Sequence, residues 1–122
     1  MSEPTAAAGA TEIVTKETSR SVSETVARLE ELLESRGIKL FSVIDQRAEA
    51  HRVGLELRET TLVVFGSPLA GTPVMAAVPL AAVDLPLKVV VWAGDEGGTR
   101  ISYVTPAALA AQSAKAPSTP SA

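Results

Sequence analysis

Apolar and polar side chains alternate along the first stretch of the chain, from Glu12 to Thr18, where Ile13 and Val14 point to opposite sides. A period of two is typical of a β-strand. The spacing of apolar residues then changes to steps of four, three and four, which places one apolar stripe along a helix. The residues of this stripe are Val22, Val26, Leu29 and Leu33. The pattern therefore predicts a strand followed by one long amphipathic helix.

Both ends of this helix carry recognisable signals. Ser21 stands three residues before Glu24, the capping-box spacing in which each side chain satisfies a free amide at the helix start. Gly37 supplies the left-handed residue that ends the helix. The polar side is charged, and five side chains on it are predicted to face solvent: Glu24, Arg28, Glu30, Glu31 and Glu34.

The middle of the chain predicts two further strands around a short helix. Ile38–Asp45 is rich in β-branched and aromatic residues, which favour strands, and Glu59–Phe65 has the pattern of a buried strand. Between them Arg47–Val53 returns to helical spacing for a turn or two, and Gly54 is predicted to stop it.

Proline organises the segment after Gly66. Ser67-Pro68 and Thr72-Pro73 each offer an N-cap followed by proline at the first helical position. We therefore predict two short helical starts close together. Pro79 interrupts the second, because the residue before a proline is pushed out of helical geometry, and another turn follows to Asp84.

The strongest hairpin signal lies near the end of the chain. Pro86–Trp92 and Arg100–Val104 flank the turn cluster Gly94–Gly98. An alanine-rich segment from Pro106 to about Ala114 predicts a short closing helix.

These elements predict an α+β fold in two layers. Only one long helix crosses between strands, so a fully parallel sheet lacks the connections it needs. We expect an antiparallel or mixed sheet of about five strands, with one long and several short helices packed on one face. Residues 11–114 are predicted to form a single domain, and the tails 1–10 and 115–122, poor in apolar bulk, are predicted to be disordered.

Composition excludes several function classes. The net charge is −3, the 11 basic residues are scattered and aromatic residues make up 3%, so nucleic acid is not expected as a partner. The chain has no cysteine, which excludes disulfides and thiolate chemistry. No segment approaches the ~18 apolar residues of a membrane span, and no secretory signal is visible. We expect a cytoplasmic protein with no membrane partner, no cofactor and no metal.

Few residues are candidates for a catalytic or metal-binding role. His51 is the only imidazole and could serve as a general base, a metal ligand with Asp45 and Glu49, or simply a solvated side chain. Ser67 follows a buried strand, but the glycine-flanked nucleophile elbow is absent, and a helix cap is the better interpretation.

Lys88 and Met75 are the remaining candidates. Lys88 lies in an apolar strand, where it either emerges at a sheet edge or meets Asp84. Met75 could line a small apolar pocket with three neighbours, Leu69, Val74 and Val78, although methionine at helical spacing is more often part of a core.

Several separated motifs, in order and in register, resemble the family called "domain of unknown function 302". They are Gly54–Thr60, Phe65–Pro68, Gly71–Met75 and Asp84–Lys88, followed by Ile101–Tyr103 with Pro106. The similarity spans about Ile13 to Leu109. It implies a compact two-layer α+β fold with an antiparallel sheet, in small bacterial proteins that often self-associate, and it implies no established reaction.

The chain departs from this family at polar positions. Members typically have asparagine at Ser67, histidine near Gln46, and Asn-Asp at Val104-Thr105. If the family performs chemistry with those groups, this chain has kept the scaffold and altered the activity.

Two hypotheses follow. The first is a noncatalytic module that binds a small molecule, or a second copy of itself in a homodimer, around five residues: Ser67, Thr72, Met75, Asp84 and Lys88. The second is an enzyme in which Asp45, His51 and Lys88 perform acid–base chemistry, which requires the three side chains to converge in one cleft.

Overall fold

One antiparallel sheet organises the molecule. A computed structural model describes residues 12–105, and the two predicted tails and the predicted helix from Pro106 to Ala114 lie outside that range. The strands are β1 (Ile13–Thr18), β2 (Lys39–Asp45), β3 (Thr60–Gly66), β4 (Leu87–Ala93) and β5 (Thr99–Val104). They lie in the order β1-β5-β4-β3-β2, and every neighbouring pair is antiparallel. The predicted α+β class is confirmed, with an antiparallel rather than a mixed sheet.

Three helices and one 3₁₀ turn connect the strands. They are α1 (Val22–Ser35), α2 (Gln46–Arg52), α3 (Pro68–Ala77) and the 3₁₀ turn Pro79–Val83. The α1 capping box is present as predicted, since the Glu24 amide donates to the Ser21 hydroxyl at 3.0 Å and the Ser21 amide donates to the Glu24 carboxylate at 3.0 Å. Gly37, with φ of 70°, occupies the left-handed region just beyond the helix, also as predicted.

Helix α1 covers one face of the sheet. Val22 packs with Val89 and Val91 in the buried core. Val63 is directly opposite Val89 in the register, so it belongs to the same face, and Val63 and Val91 are both 0% exposed. The predicted apolar stripe of α1 is confirmed, because Val26 and Leu29 also pack against this core and Leu33 is buried.

The second predicted helical start, at Thr72-Pro73, is wrong. α3 runs without interruption from Pro68 to Ala77 with Pro73 inside it. The Val78 amide donates to the Val74 carbonyl at 2.8 Å, so the helical pattern continues past the proline. Pro73 has no N–H to donate four residues back and its ring crowds the carbonyl there, so the helix continues through a position that proline disfavours.

The position of Lys88 also differs from the prediction. β4 is the central strand, so Lys88 is not on a sheet edge. Its side chain is exposed because it alternates with Val89 and Val91 and thus lies on the face away from α1. Within residues 12–105 it forms no ion pair with Asp84.

Candidate functional site

A groove of about 320 Å³ lies between α1 and the β2–β3 half of the sheet. Its walls are apolar, formed by Val22, Val26 and Ala27 from α1 and by Val43 from β2. Polar and charged residues make up the rest of the lining: Ser23, Glu30, Asp45, Arg47, Glu59, Thr60 and Thr61. A cleft that combines apolar walls with polar groups is the usual form of a small-molecule site.

Thr61 lies in this groove with an unsatisfied hydroxyl. It is 9% exposed, and within residues 12–105 its hydroxyl has no hydrogen-bond partner. Thr25, which is equally buried, donates its hydroxyl to the Ser21 carbonyl at 2.8 Å. Because a buried hydroxyl without a partner costs about 1–3 kcal/mol, Thr61 is a group that a bound molecule would satisfy.

The strand register places Thr61 on the sheet face that α1 covers. Thr61 pairs with Val91 on β4 and with Asp45 on β2, so all three side chains lie on the face that α1 covers. Thr99 is the other buried threonine without a hydroxyl partner in the described part of the chain, and it does not line the groove. What distinguishes Thr61 is therefore its access to a cavity.

The charges around the groove are not paired with one another. The ion pairs formed within residues 12–105 are Arg28–Glu31, His51–Glu56, Arg58–Asp95 and Glu17–Arg100. None of them involves Glu30, Glu59 or Arg47. Asp45 accepts a hydrogen bond from the Ala48 amide at 3.0 Å as the N-cap of α2. Three carboxylates and one guanidinium thus border the cavity, so the local charge is negative.

A smaller pocket of about 110 Å³ lies beside α3. Its lining is mostly apolar, with Phe41, Met75, Leu85 and Pro86 among its residues. The one side-chain hydroxyl in it, that of Ser67, accepts a hydrogen bond from the Ala70 amide at 3.2 Å as the N-cap of α3. This pocket therefore offers apolar contact and little else.

The structure brings together two of the five predicted site residues. Ser67 and Met75 line the α3 pocket, and Thr72, Asp84 and Lys88 do not. Thr72 is an exposed residue of α3, and Asp84 ends the 3₁₀ turn, where its amide donates to the Ala81 carbonyl at 3.0 Å. A binding role for the five residues stays a prediction.

Asp45, His51 and Lys88 do not share a cleft. Asp45 is in register with Thr61, and Thr61 with Val91, which is three residues from Lys88. An odd offset puts Asp45 and Lys88 on opposite faces of the sheet, about 10 Å apart along the strand direction alone. His51 is half-exposed and lies 3.5 Å from the Glu56 carboxylate. No group of three metal-ligating side chains occurs within residues 12–105.

The chain differs from the family it resembles at a few polar positions, and these positions lie in different parts of the fold. Gln46 begins α2 beside the groove, whereas Ser67 begins α3 at the opposite end of β3. Val104 ends β5, where it pairs with Ile13, and the next residue, Thr105, donates its amide to the Glu12 carbonyl at 3.2 Å. These positions do not form one altered site around either cavity.

Sequence reasoning missed the groove. Its polar residues come from four separate elements, and Glu30 was predicted to face solvent although it is half-buried. One local signal was available, since Thr61, Val63 and Phe65 share a strand face and a threonine there interrupts an apolar row. A hydroxyl at a core-facing strand position needs either a partner or a cavity.

Comparison with known proteins gives a family and a fold. The family described as "Domain of unknown function DUF302" matches residues 14–122. The crystal structure of an uncharacterised conserved DUF302 protein from Bacillus stearothermophilus is similar, with a TM-score of 0.75 and 25% identity. The match covers 82% of this chain and 78% of that one.

Curated relatives carry a different name. The chain is 35% identical over 98 residues to "Fluoride-specific ion channel FluC 1" of Brucella suis biovar 1 (strain 1330) and to "Fluoride-specific ion channel FluC 2" of Brucella melitensis biotype 1 (strain ATCC 23456 / CCUG 17765 / NCTC 10094 / 16M). The match covers 80% of this chain but only 39% and 36% of those proteins. Among residues 12–105, no helix has the length and apolarity that crossing a bilayer requires.

Proposed function

The chain belongs to the DUF302 family, a domain of unknown function, and from that premise we propose that it is a noncatalytic module that binds a small molecule. The site is the groove between α1 and the β2–β3 half of the sheet. The observation that carries the proposal is Thr61, a buried residue that lines the cavity and whose hydroxyl has no partner among the described residues.

The dimensions and chemistry of the groove support this proposal. Its volume of about 320 Å³ falls within the ~300–1,000 Å³ range of small-molecule sites. The α1 walls are fixed by the core, because Val22 is 5% exposed and packs on β4. A cleft with fixed walls loses little entropy when a ligand enters it.

The name of the Brucella relatives does not supply the function. The matched segment is 39% of the length of the first of them, so the ion-channel activity in that name describes a much longer protein. We therefore base the proposal on the groove.

A thermal-shift screen tests the proposal, because a compound that binds only the native state raises its melting temperature. The screen covers metabolites, amines, carboxylic acids and nucleotides, on the wild type and on Thr61→Val. The matched control is Thr99→Val, which removes a second unpartnered buried hydroxyl outside the groove.

We expect compounds that stabilise the wild type and Thr99→Val but stabilise Thr61→Val much less. Hits that shift all three proteins equally would place the site elsewhere and overturn this assignment. A screen without hits would remove the support for a ligand-binding role.

Self-association is a second candidate function, and the edge strand β2 favours it. Leu40, Phe41 and Val43 are 37%, 46% and 39% exposed on this edge. An apolar edge is a ready template for pairing with another strand. The exposed charges of β2, Lys39 and Asp45, stand at the two ends of the strand. The opposite edge, β1, carries the exposed charges Lys16 and Glu17 within the strand, where they discourage such pairing.

Light scattering after gel filtration tests this candidate. We expect a dimer that Phe41→Glu converts to a monomer, whereas Ile13→Glu on the β1 edge leaves the dimer intact. A monomeric wild type at the highest soluble concentration, or equal effects of the two substitutions, would exclude pairing through β2.

A further inference from the structure

The charges around the groove specify the ligand further. Glu30, Glu59 and Asp45 border the cavity against the single guanidinium of Arg47. Glu30 and Glu59 have no ion-pair partner within residues 12–105. A half-buried carboxylate such as Glu30 loses hydration that a nearby cation would replace. The electrostatics therefore favour a positively charged ligand over an anion.

The acidic groups are placed at the polar end of apolar walls. Val22, Val26 and Glu30 follow one another at steps of four along α1, so two apolar side chains and one carboxylate share a helix face. On the sheet, Glu59 precedes Thr61 by two residues, which puts both on the side that α1 covers. A carboxylate from each layer and the orphan hydroxyl thus border one cavity.

We propose that the groove binds a small primary amine with a short apolar chain, an inference that rests on the proposed ligand-binding function. An ammonium has three N–H donors and no acceptor. Glu30, Glu59 and the Thr61 hydroxyl are three acceptors for it, and the apolar chain lies against Val22, Val26 and Val43. The cavity volume of about 320 Å³ lies at the lower end of the ~300–1,000 Å³ range of small-molecule sites, which suits a small compound.

Thr61 gives evidence for a ligand site that does not depend on the acidic residues. Carboxylates at a surface groove are satisfied by water, so they do not specify a ligand by themselves. Thr61 is 9% exposed, lines the same cavity and has no partner for its hydroxyl among residues 12–105, so it adds a hydrogen-bonding group that a bound molecule can satisfy. The proposed ligand therefore brings a polar atom to Thr61 on β3.

A series of ligands that differ only in the head group tests directly whether the groove prefers a primary amine. Isothermal titration with hexylamine, hexanol and hexanoate keeps the apolar chain similar and changes the polar head. We expect hexylamine to bind at least about tenfold more tightly than hexanol, because charge-assisted hydrogen bonds are roughly twice as strong as neutral ones, and hexanoate not to bind. Tight binding of hexanoate would instead assign the specificity to Arg47 and overturn the proposed amine ligand.

Matched variants locate the interaction. Glu30→Gln should weaken hexylamine binding about tenfold and leave hexanol binding unchanged, since only the amine uses the charge. Glu34→Gln, which removes the same charge from an exposed position of α1 outside the groove, should change neither. Equal effects of the two variants would mean that only the net charge matters, and would overturn the proposed contact.

These experiments distinguish a wrong ligand class from a wrong binding site. If hexanol binds as tightly as hexylamine and only Thr61→Val weakens both, the groove remains the site and the amine is wrong. If hexylamine binds the wild type and Thr61→Val equally, the groove itself is wrong. If no compound of the series binds, the amine is overturned and the wider screen decides the proposed function.

Discussion

Helices α1 and α3 each border a cavity, but the protein holds them in different ways. α1 buries Val22, Thr25 and Leu33 and begins with a reciprocal capping box. α3 buries no residue, contains Pro73, and leaves Leu69 89% exposed. One helix is part of the core, and the other lies at its margin.

This difference sets what each cavity can do. The groove next to α1 has an apolar wall fixed by core packing, and the charged groups at its border can select a ligand by charge. The pocket next to α3 has a wall with little buried surface, and Met75 in it is a flexible side chain. We expect the groove to be specific and the α3 pocket to adapt to whatever apolar group contacts it.

The largest difference between α1 and α3 is expected when one leucine in each helix is replaced by alanine. Leu33→Ala should lower the free energy of unfolding by about 2–4 kcal/mol, because it removes a buried side chain and leaves a cavity. Leu69→Ala should change it by less than about 0.5 kcal/mol, as for most exposed positions. Urea unfolding followed by Trp92 fluorescence measures both values, and similar losses would show that α3 is packed as firmly as α1.

The next test removes the serine cap of each helix. Ser21→Ala should lower the free energy of unfolding by about 1–2 kcal/mol, since it breaks the reciprocal capping box. Ser67→Ala loses a single side-chain bond and should cost about 0.5–1 kcal/mol. Thermal unfolding of both variants gives the ranking, and a larger loss for Ser67→Ala would reverse the comparison.

Thr61→Val tests the groove, and unlike the preceding substitutions it is expected to increase the free energy of unfolding. Replacing the unpartnered hydroxyl by a methyl group should raise the free energy of unfolding by about 1 kcal/mol, because a buried polar group is no longer unsatisfied. Thr25→Val should not, since the Thr25 hydroxyl donates to the Ser21 carbonyl. Denaturant melts compare the two, and a destabilised Thr61→Val would mean that the hydroxyl has a partner after all.

The smallest effect is expected at the α3 pocket. A Cβ at Gly66 would lie 3.3 Å from Phe41 Cε2 and 3.4 Å from Pro86 Cβ. The ring must move by a few tenths of an ångström, and the lower entropy of the unfolded chain offsets that cost. Gly66→Ala should therefore change the free energy of unfolding by less than about 1 kcal/mol, and a larger loss in the same melts would show that this pocket is rigid.

Much of the fold could be predicted from local patterns. The α1 stripe, its capping box, the role of Gly37 and the β4–β5 hairpin all appear in the structure where the spacing placed them. Each depends on residues within a few positions of one another, and the physics of caps, turns and periodic faces acts over that distance.

The site could not be predicted in this way. Glu30, Asp45 and Thr61 lie 15 and 16 residues apart along the chain (45 − 30 and 61 − 45) and meet only because β2 pairs with β3 beneath α1. Neither predicted alternative for Lys88, a sheet edge or a contact with Asp84, is found in residues 12–105, because a strand's own sequence carries no information about how many strands lie on either side.

The sequence by itself determined which segments are helices and strands and where most of them begin and end. The tertiary structure decided the strand order, which put Lys88 on the central strand and Thr61 beneath α1. The physical reason is that a strand's alternation defines its two faces but not its neighbours, and a groove forms from the side chains that neighbouring elements bring together.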